Sequence, residues 1–148
     1  MQGYWKRPEE TAETLRDGWL YTGDIGYLDE DRYLFLTSRK KDLIKCGGFQ
    51  VWPREIEERL MMHPAIAEVC VGGIPDPRQV EAVKVWIVLK QGHQATQEEL
   101  QQFCKEKLTG YKVPRFFEFR KDLPKTLVGK VLRRILQDEE KAKQSKTK

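Results

Sequence analysis

An α+β fold is predicted for this chain, with a small three-stranded sheet, helices packed against it and an N-terminal β-hairpin. Three observations point to it. Beyond residue 42, segments of strand and helix period follow one another as hairpin, α, β, β, α, β, loop, α. Val83, Val85, Ile87 and Leu89 alternate with Lys84, Trp86 and Val88, as in a strand with one continuous apolar face. Thr96 followed by Glu99 has the form of a capping box that opens a helix.

Each element has a local reason. Pro8 starts a short helix with Glu9 and Glu10 in its first turn, where acids suit the helix dipole, and residues 15–18 close it. Strands are expected at residues 19–21, 26–28 and 33–37, with a turn at residues 29–32. Residues 43–45 and Phe49–Val51 pair through Gly47 and Gly48, whose missing side chains suit a turn or the close approach of a ligand. Pro53 begins a helix to about Met62, with Ile56 and Leu60 on one face, and His63-Pro64 ends it. Strands at 66–74 and 82–89 are linked by Pro75-Asp76-Pro77. The helix after Thr96 places Leu100, Phe103, Cys104 and Leu108 on one face and stops at Gly110. Residues 115–119 form the third strand and residues 125–129 a loop. Val131 to about Lys141 is the last helix, and a polar, flexible tail is expected from about residue 142.

Bulk composition narrows the function classes. A chain of 148 residues, 39% hydrophobic and 34% charged, suits one ordinary domain or a compact domain with a flanking piece. No apolar run approaches the roughly 18 residues of a spanning helix, and the first ten residues lack the apolar core of a signal peptide. The three cysteines, Cys46, Cys70 and Cys104, lie far apart, which fits reduced thiols in a cytoplasm and offers neither a zinc site nor a disulfide framework. A net charge of +4 permits anionic ligands without indicating nucleic acid, and the aromatic residues alternate with apolar ones as in a core.

Chemistry concentrates in a few places. Residues 38–50, S-R-K-K-D-L-I-K-C-G-G-F-Q, carry Arg39, Lys40, Lys41 and Lys45, cations able to meet a phosphate or a carboxylate, or simply a solvated hairpin. Asp24, in Y-T-G-D, stands at a strand end, where a carboxylate accepts hydrogen bonds from sugar hydroxyls or serves an ordinary turn. Lys130 ends a glycine-containing loop before a helix; such a lysine is a movable point charge that can bridge a carboxylate and a phosphate, or a solvated side chain. Cations from Lys112 to Arg134 face only Glu118 and Asp122 nearby, so that region reads as locally basic. His63 and His93 read as structural or solvated, and the acid pairs Glu57-Glu58 and Glu98-Glu99 as helix-capping groups on exposed faces.

The series G-Y-W-K-R-P-E-E-T, G-W-L-Y-T-G-D, R-K-K-D-L-I-K-C-G-G, Y-K-V-P and P-K-T-L-V-G-K-V-L-R runs through nearly the whole chain in order. In it the chain resembles the C-terminal part of the adenylate-forming superfamily, which includes acyl-CoA synthetases, firefly luciferase and the adenylation domains of peptide synthetases. W-P-R-E-I-E after the glycine pair looks most like fatty acyl-CoA synthetases. The resemblance implies that residues 1–40 are the tail end of a large N-terminal adenylation domain and that residues 41–148 are a C-terminal lid domain. It implies a fatty acid–CoA ligase that uses ATP, forms AMP and takes CoA, with Mg2+ expected alongside ATP and no metal ligand in this chain. Asp24 and Arg39 would hold the nucleotide, and Lys41 would be the hinge. Lys130 and Lys45 would be catalytic, and Gly47, Gly48 and Phe49 would line the CoA channel. The implied partners are the N-terminal adenylation domain and the three substrates, with neither nucleic acid nor a transmembrane segment, in the cytoplasm or peripherally on a membrane. Dimerisation through unpaired N-terminal strands is also open. A free-standing binding module, an aryl-CoA ligase and a peptide-synthetase domain are the alternatives. One departure is Arg32, where relatives often carry glycine, so a slightly strained turn is expected there.

Overall fold

The computed structural model describes residues 1–146, and the chain divides into two compact units, the second beginning at Asp42 after Met1–Lys41. In the first, helix α1 (Pro8–Thr14) is followed by the short antiparallel strands β1 (Leu15–Arg16) and β2 (Trp19–Leu20). Strands β3 (Asp24–Leu28) and β4 (Leu34–Arg39) form a second antiparallel pair, with a bulge between Ile25 and Gly26. A Cβ at Gly26 would stand 2.4 Å from the Phe35 carbonyl oxygen, so this crossing admits only glycine. The intervening turn is closed by the Tyr33 amide donating to Asp29 Oδ1 at 2.8 Å. Arg32 takes φ 66°, the strain expected of a side chain where glycine would be at ease. Tyr27, Leu28, Tyr33, Leu34 and Phe35 all stay exposed.

The second unit holds the core. Strands β5 (Ile44–Cys46) and β6 (Phe49–Val51) form a hairpin whose two turn residues, Gly47 and Gly48, both have positive φ, 58° and 85°. That is the type I′ geometry that matches strand twist and favours glycine. Helix α2 (Pro53–Met61), strands β7 (Ile66–Asp76) and β8 (Val80–Leu89), helix α3 (Gln97–Lys105), strand β9 (Phe116–Phe119) and helix α4 (Arg133–Lys146) follow. The Thr96–Glu99 capping box forms in full at the start of α3.

The α+β class stands, but the sheet has five strands where three were expected, in the order β6-β5-β8-β7 with β9 parallel to β8. The hairpin is not separate: Cys46 pairs with Val80, the Gly47 amide donates to the Gln79 carbonyl at 3.1 Å, and the Lys45 amide donates to Glu81 Oε2 at 2.7 Å. The turn falls at residues 77–79 rather than 75–77, because Asp76 Oδ1 accepts from the Arg78 and Gln79 amides and so folds the chain two residues later. Val80 leaves it at φ 70°, an uncommon conformation for a β-branched residue, which costs about 1–2 kcal/mol.

Both faces of β8 are covered. Val83, Val85 and Ile87 meet Ile56, Leu60, Leu100 and Cys104 of α2 and α3, while Ala82 and Trp86 meet Leu123 and Leu136 beneath α4. Lys84, on the α4 face, is buried by ion pairs to Glu118 at 2.7 Å and Glu140 at 2.8 Å, which satisfy a charge that burial alone would make costly. Helix α4 starts at Arg133 rather than Val131, since Val131 bridges to Lys125 and the Leu132 amide donates to the Pro124 carbonyl at 2.8 Å. It continues to Lys146, past the flexible tail expected from about residue 142, whose last two residues lie outside the described ones. Among the described residues no helix is long and apolar enough to cross a membrane.

Candidate functional site

In the first unit the β3–β4 register sets Asp24 directly opposite Arg39, and Arg39 Nε donates to Asp24 Oδ1 at 2.7 Å. Gly23, at φ 76°, turns the chain into β3 and its carbonyl accepts from the Lys40 amide at 2.8 Å. The two residues expected to hold a nucleotide are thus brought together as one donor–acceptor pair at a strand end. Arg39 uses Nε on this contact, which leaves the Nη groups to meet an anion and the second Asp24 oxygen to accept hydroxyls. As a surface pair it is worth about 0–1 kcal/mol to stability. Lys41 is exposed in a 3-10 turn, Lys40–Asp42.

In the second unit Lys45, Gly47, Gly48 and Phe49 share the β5–β6 hairpin. The Lys45 side chain points to solvent and has no ion pair among the described residues. Phe49 stacks on Tyr111 with ring centroids 4.4 Å apart. Between the hairpin and the 3-10 turn Gly110–Lys112 lies a cavity of about 210 Å³ lined by Cys46, Gly47, Phe49, Gln79, Tyr111 and Arg115, among others. Arg115 is its charged group; both Nη atoms reach the Gln79 amide oxygen at 2.7 Å once that oxygen faces them. Burial pushes the Cys46 thiol up against the opposing pull of Arg115, so it is a poor nucleophile at neutral pH. Burial also pushes Cys70 and Cys104 up, each to about 11.

Lys130 stands on a separate loop. The Thr126 amide donates to the Lys130 carbonyl at 2.8 Å, the Lys130 amide to Thr126 Oγ1 at 3.1 Å, and Gly129 takes φ 79°. Leu127 and Val128 at its tip are almost wholly exposed, and the Lys130 side chain has no ion pair among the described residues. No hydrogen bond or ion pair among them joins this loop to the β5–β6 hairpin. The expected catalytic lysines therefore occupy two distinct, exposed places, Lys45 on strand β5 and Lys130 at the end of a loop.

Much of the basic region of the sequence is paired with acids, most of them distant in the chain. Lys112 pairs with Glu55, Lys125 with Glu68, and Arg120 with Glu118 and Glu139. Glu57 corrects the expectation of an exposed capping acid: its Oε1 accepts from the Val71 amide at 2.8 Å and from Arg133 Nη2 at 2.8 Å. Arg133 Nη1 also bonds Asp42 Oδ2. Burial would lower the Arg133 pKa, but Glu57 and Asp42 outweigh it and raise it. His63 is structural, buried edge-on against Phe103 at 5.0 Å with Glu99 3.4 Å from its Nε2. Among the described residues no group of three or more His, Cys, Asp or Glu converges to hold a metal ion.

Comparison with known proteins gives one direction. The family model described as AMP-binding enzyme C-terminal domain matches residues 55–130. A long-chain-fatty-acid–CoA ligase of Bacillus subtilis (strain 168) is 55% identical over 95% of this chain and 25% of its own length. One of Escherichia coli O6:H1 is 50% identical over 97% of this chain and 25% of its own. The crystal structure of ATP-bound MatB from Rhodopseudomonas palustris superposes with a TM-score of 0.89 and 34% identity, over 93% of this chain and 28% of that one. The chain spans about a quarter of the length of the curated relatives it matches.

Proposed function

The chain belongs to the AMP-binding enzyme C-terminal domain family, and on that premise we propose that it is the lid of an AMP-forming fatty acid–CoA ligase. Such an enzyme works in two steps. A fatty-acid carboxylate oxygen attacks the α-phosphorus of ATP and pyrophosphate leaves; the CoA sulfur then attacks the acyl carbonyl, the thiol proton departs and AMP leaves. In this reading Asp24 accepts the ribose hydroxyls, and Arg39, held in place by Asp24, meets the ribose or phosphate. Lys130 stabilises the charge that develops during adenylation. Rotation about Lys41 then withdraws Lys130 and brings up the hairpin, where Lys45 faces the adenylate and Gly47, Gly48 and Phe49 line the approach of the thiol. CoA, ATP and its accompanying Mg2+ enter as substrates.

The observation that carries this reading is a pair of exposed lysines on one compact unit, Lys45 on strand β5 of the hairpin and Lys130 at the end of a loop. Lys45 and Lys130 sit on separate elements, neither is engaged in an ion pair among the described residues, and the hairpin and the loop are each held by their own backbone bonds. A unit built this way offers one cation at a time to a site supplied by another domain. The exposed aromatic and aliphatic side chains of β3 and β4 support a large preceding domain as the partner that covers them.

AMP release from ATP, CoA and a panel of fatty acids by the intact ligase tests the roles. Lys130→Ala should lose adenylation about a hundredfold or more and still consume pre-made acyl-adenylate. Equal loss in both half-reactions would remove Lys130 from the role given to it.

A further inference from the structure

Lys41 is the one residue between two anchors. Upstream, the Lys40 amide is bonded to the Gly23 carbonyl at 2.8 Å, within the first unit. Downstream, Asp42, the first residue of the second unit, is bonded through its carboxylate to Arg133 Nη1. The same guanidinium bonds Glu57 through Nη2 at 2.8 Å, and Glu57 is tied to the sheet through the Val71 amide at 2.8 Å. Arg133 is also the first residue of α4, three beyond Lys130, where the Lys125–Val131 bridge has just closed the loop. Its neighbour Arg134 is 93% exposed and, among the described residues, pairs with Asp138 alone, at 3.7 Å.

We propose that Arg133 is a positioning residue that fastens both the exit of the Lys130 loop and the outer end of the Lys41 pivot to the central sheet. The proposal rests on the two-step reading above. Its physical basis is that a planar guanidinium bonded to two carboxylates fixes orientation as well as distance, which a flexible ammonium does not. With both segments fastened to one sheet, a rotation at Lys41 carries Lys130 as part of a rigid body. Without the clamp, residues 42–44 become extra joints and the position of Lys130 blurs.

Amide hydrogen exchange on the intact ligase tests this, because it reports local loosening apart from catalysis. Asp42→Ala leaves Arg133 paired with Glu57, so the fold is kept; it should speed exchange at residues 42–44 about tenfold and leave residues 125–132 unchanged. Arg133→Lys should speed both segments, Arg134→Met neither, and the amides of residues 82–87 should hold their protection throughout. Unchanged exchange at residues 42–44 in Asp42→Ala overturns the clamp. So does a uniform rise in Arg133→Lys that includes residues 82–87, the mark of plain destabilisation. If Arg133→Lys fails to fold, Asp42→Ala against Arg134→Met still decides. AMP formation by the same proteins serves as a separate readout: a silent parent enzyme would sink the two-step reading, while the exchange result would still judge the clamp.

Discussion

Residues 1–41 and residues 42–146 contain strands of similar composition and treat them in opposite ways. Tyr33, Leu34 and Leu36 of the first unit are more than half exposed, whereas Val83, Val85, Trp86 and Ile87 of the second are nearly or wholly inaccessible. The cause is layering. A lone antiparallel pair has no second layer to cover its apolar side chains, while β8 is covered on one face by α2 and α3 and on the other by α4. The second unit is therefore stabilised by its own interior, and the first depends on whatever covers it. That contrast is what the proposed reading requires, a lid that moves as a body and a flanking piece that stays with a preceding domain.

The largest expected effect that would break the contrast lies in the second unit. Trp86→Ala removes the largest buried side chain, between β8 and α4, and should lower stability by about 3–5 kcal/mol in denaturant unfolding of the chain. A loss under 1 kcal/mol would mean that this interior is not close-packed.

A middle-sized effect comes from acid. Burial would raise the Glu118 pKa, but hydrogen bonds from Lys84 and Lys143 bring it down from 4.5 to about 2. A depressed carboxylate contributes stability that is full above its unfolded pKa and disappears as pH falls through the folded one, here between about 4.5 and 2. The ceiling for that loss is about 3 kcal/mol, reduced because Glu118 is a quarter exposed. Glu118→Gln should flatten the pH dependence of stability in this window; an unchanged slope would show that the acid sensitivity comes from other groups.

The smallest effect is expected in the first unit. Leu34→Lys, at a position 63% exposed, should shift the stability of this chain by less than about 0.5 kcal/mol. In the intact ligase proposed above, the same change should be markedly more harmful, since a charge would then sit under the proposed covering domain. Equal effects in the two proteins would mean that nothing covers this face.

Legibility in the sequence followed range. The Gly47–Gly48 turn, the Thr96–Glu99 cap, the Pro53 helix start and the alternation along β8 are local signals, and each formed as read. The Asp24–Arg39 pair was partly legible, since the resemblance names both for one role and only the strand register sets them face to face. What escaped the reading joins residues far apart. The hairpin meets β8 at a single bridge, Cys46 to Val80, and nothing in either segment marks that join. Glu57 looked like a helix acid because its partner Arg133 comes 76 residues later. Lys125 and Lys112 looked like parts of a basic patch because their acids, Glu68 and Glu55, each lie 57 residues away. Charge pairing at such separations has no period to detect; only the bulk count of near-balanced charges hints at it.

The three cysteines give the molecule a set of native clocks. Cys46 lies in the hairpin, Cys104 in α3 on one side of the sheet and Cys70 in β7 under α4 on the other, all buried and free. With their thiols pushed up by burial, they present little thiolate at neutral pH; Cys70 and Cys104 are covered by the core, and Cys46 lies at the wall of the cavity beside the hairpin. An alkylating reagent should therefore mark Cys70 and Cys104 only when their own parts of the fold open, and Cys46 first, from the cavity. The order in which Cys70 and Cys104 are modified under gentle denaturation would record which layer parts first, with no label introduced into the sequence.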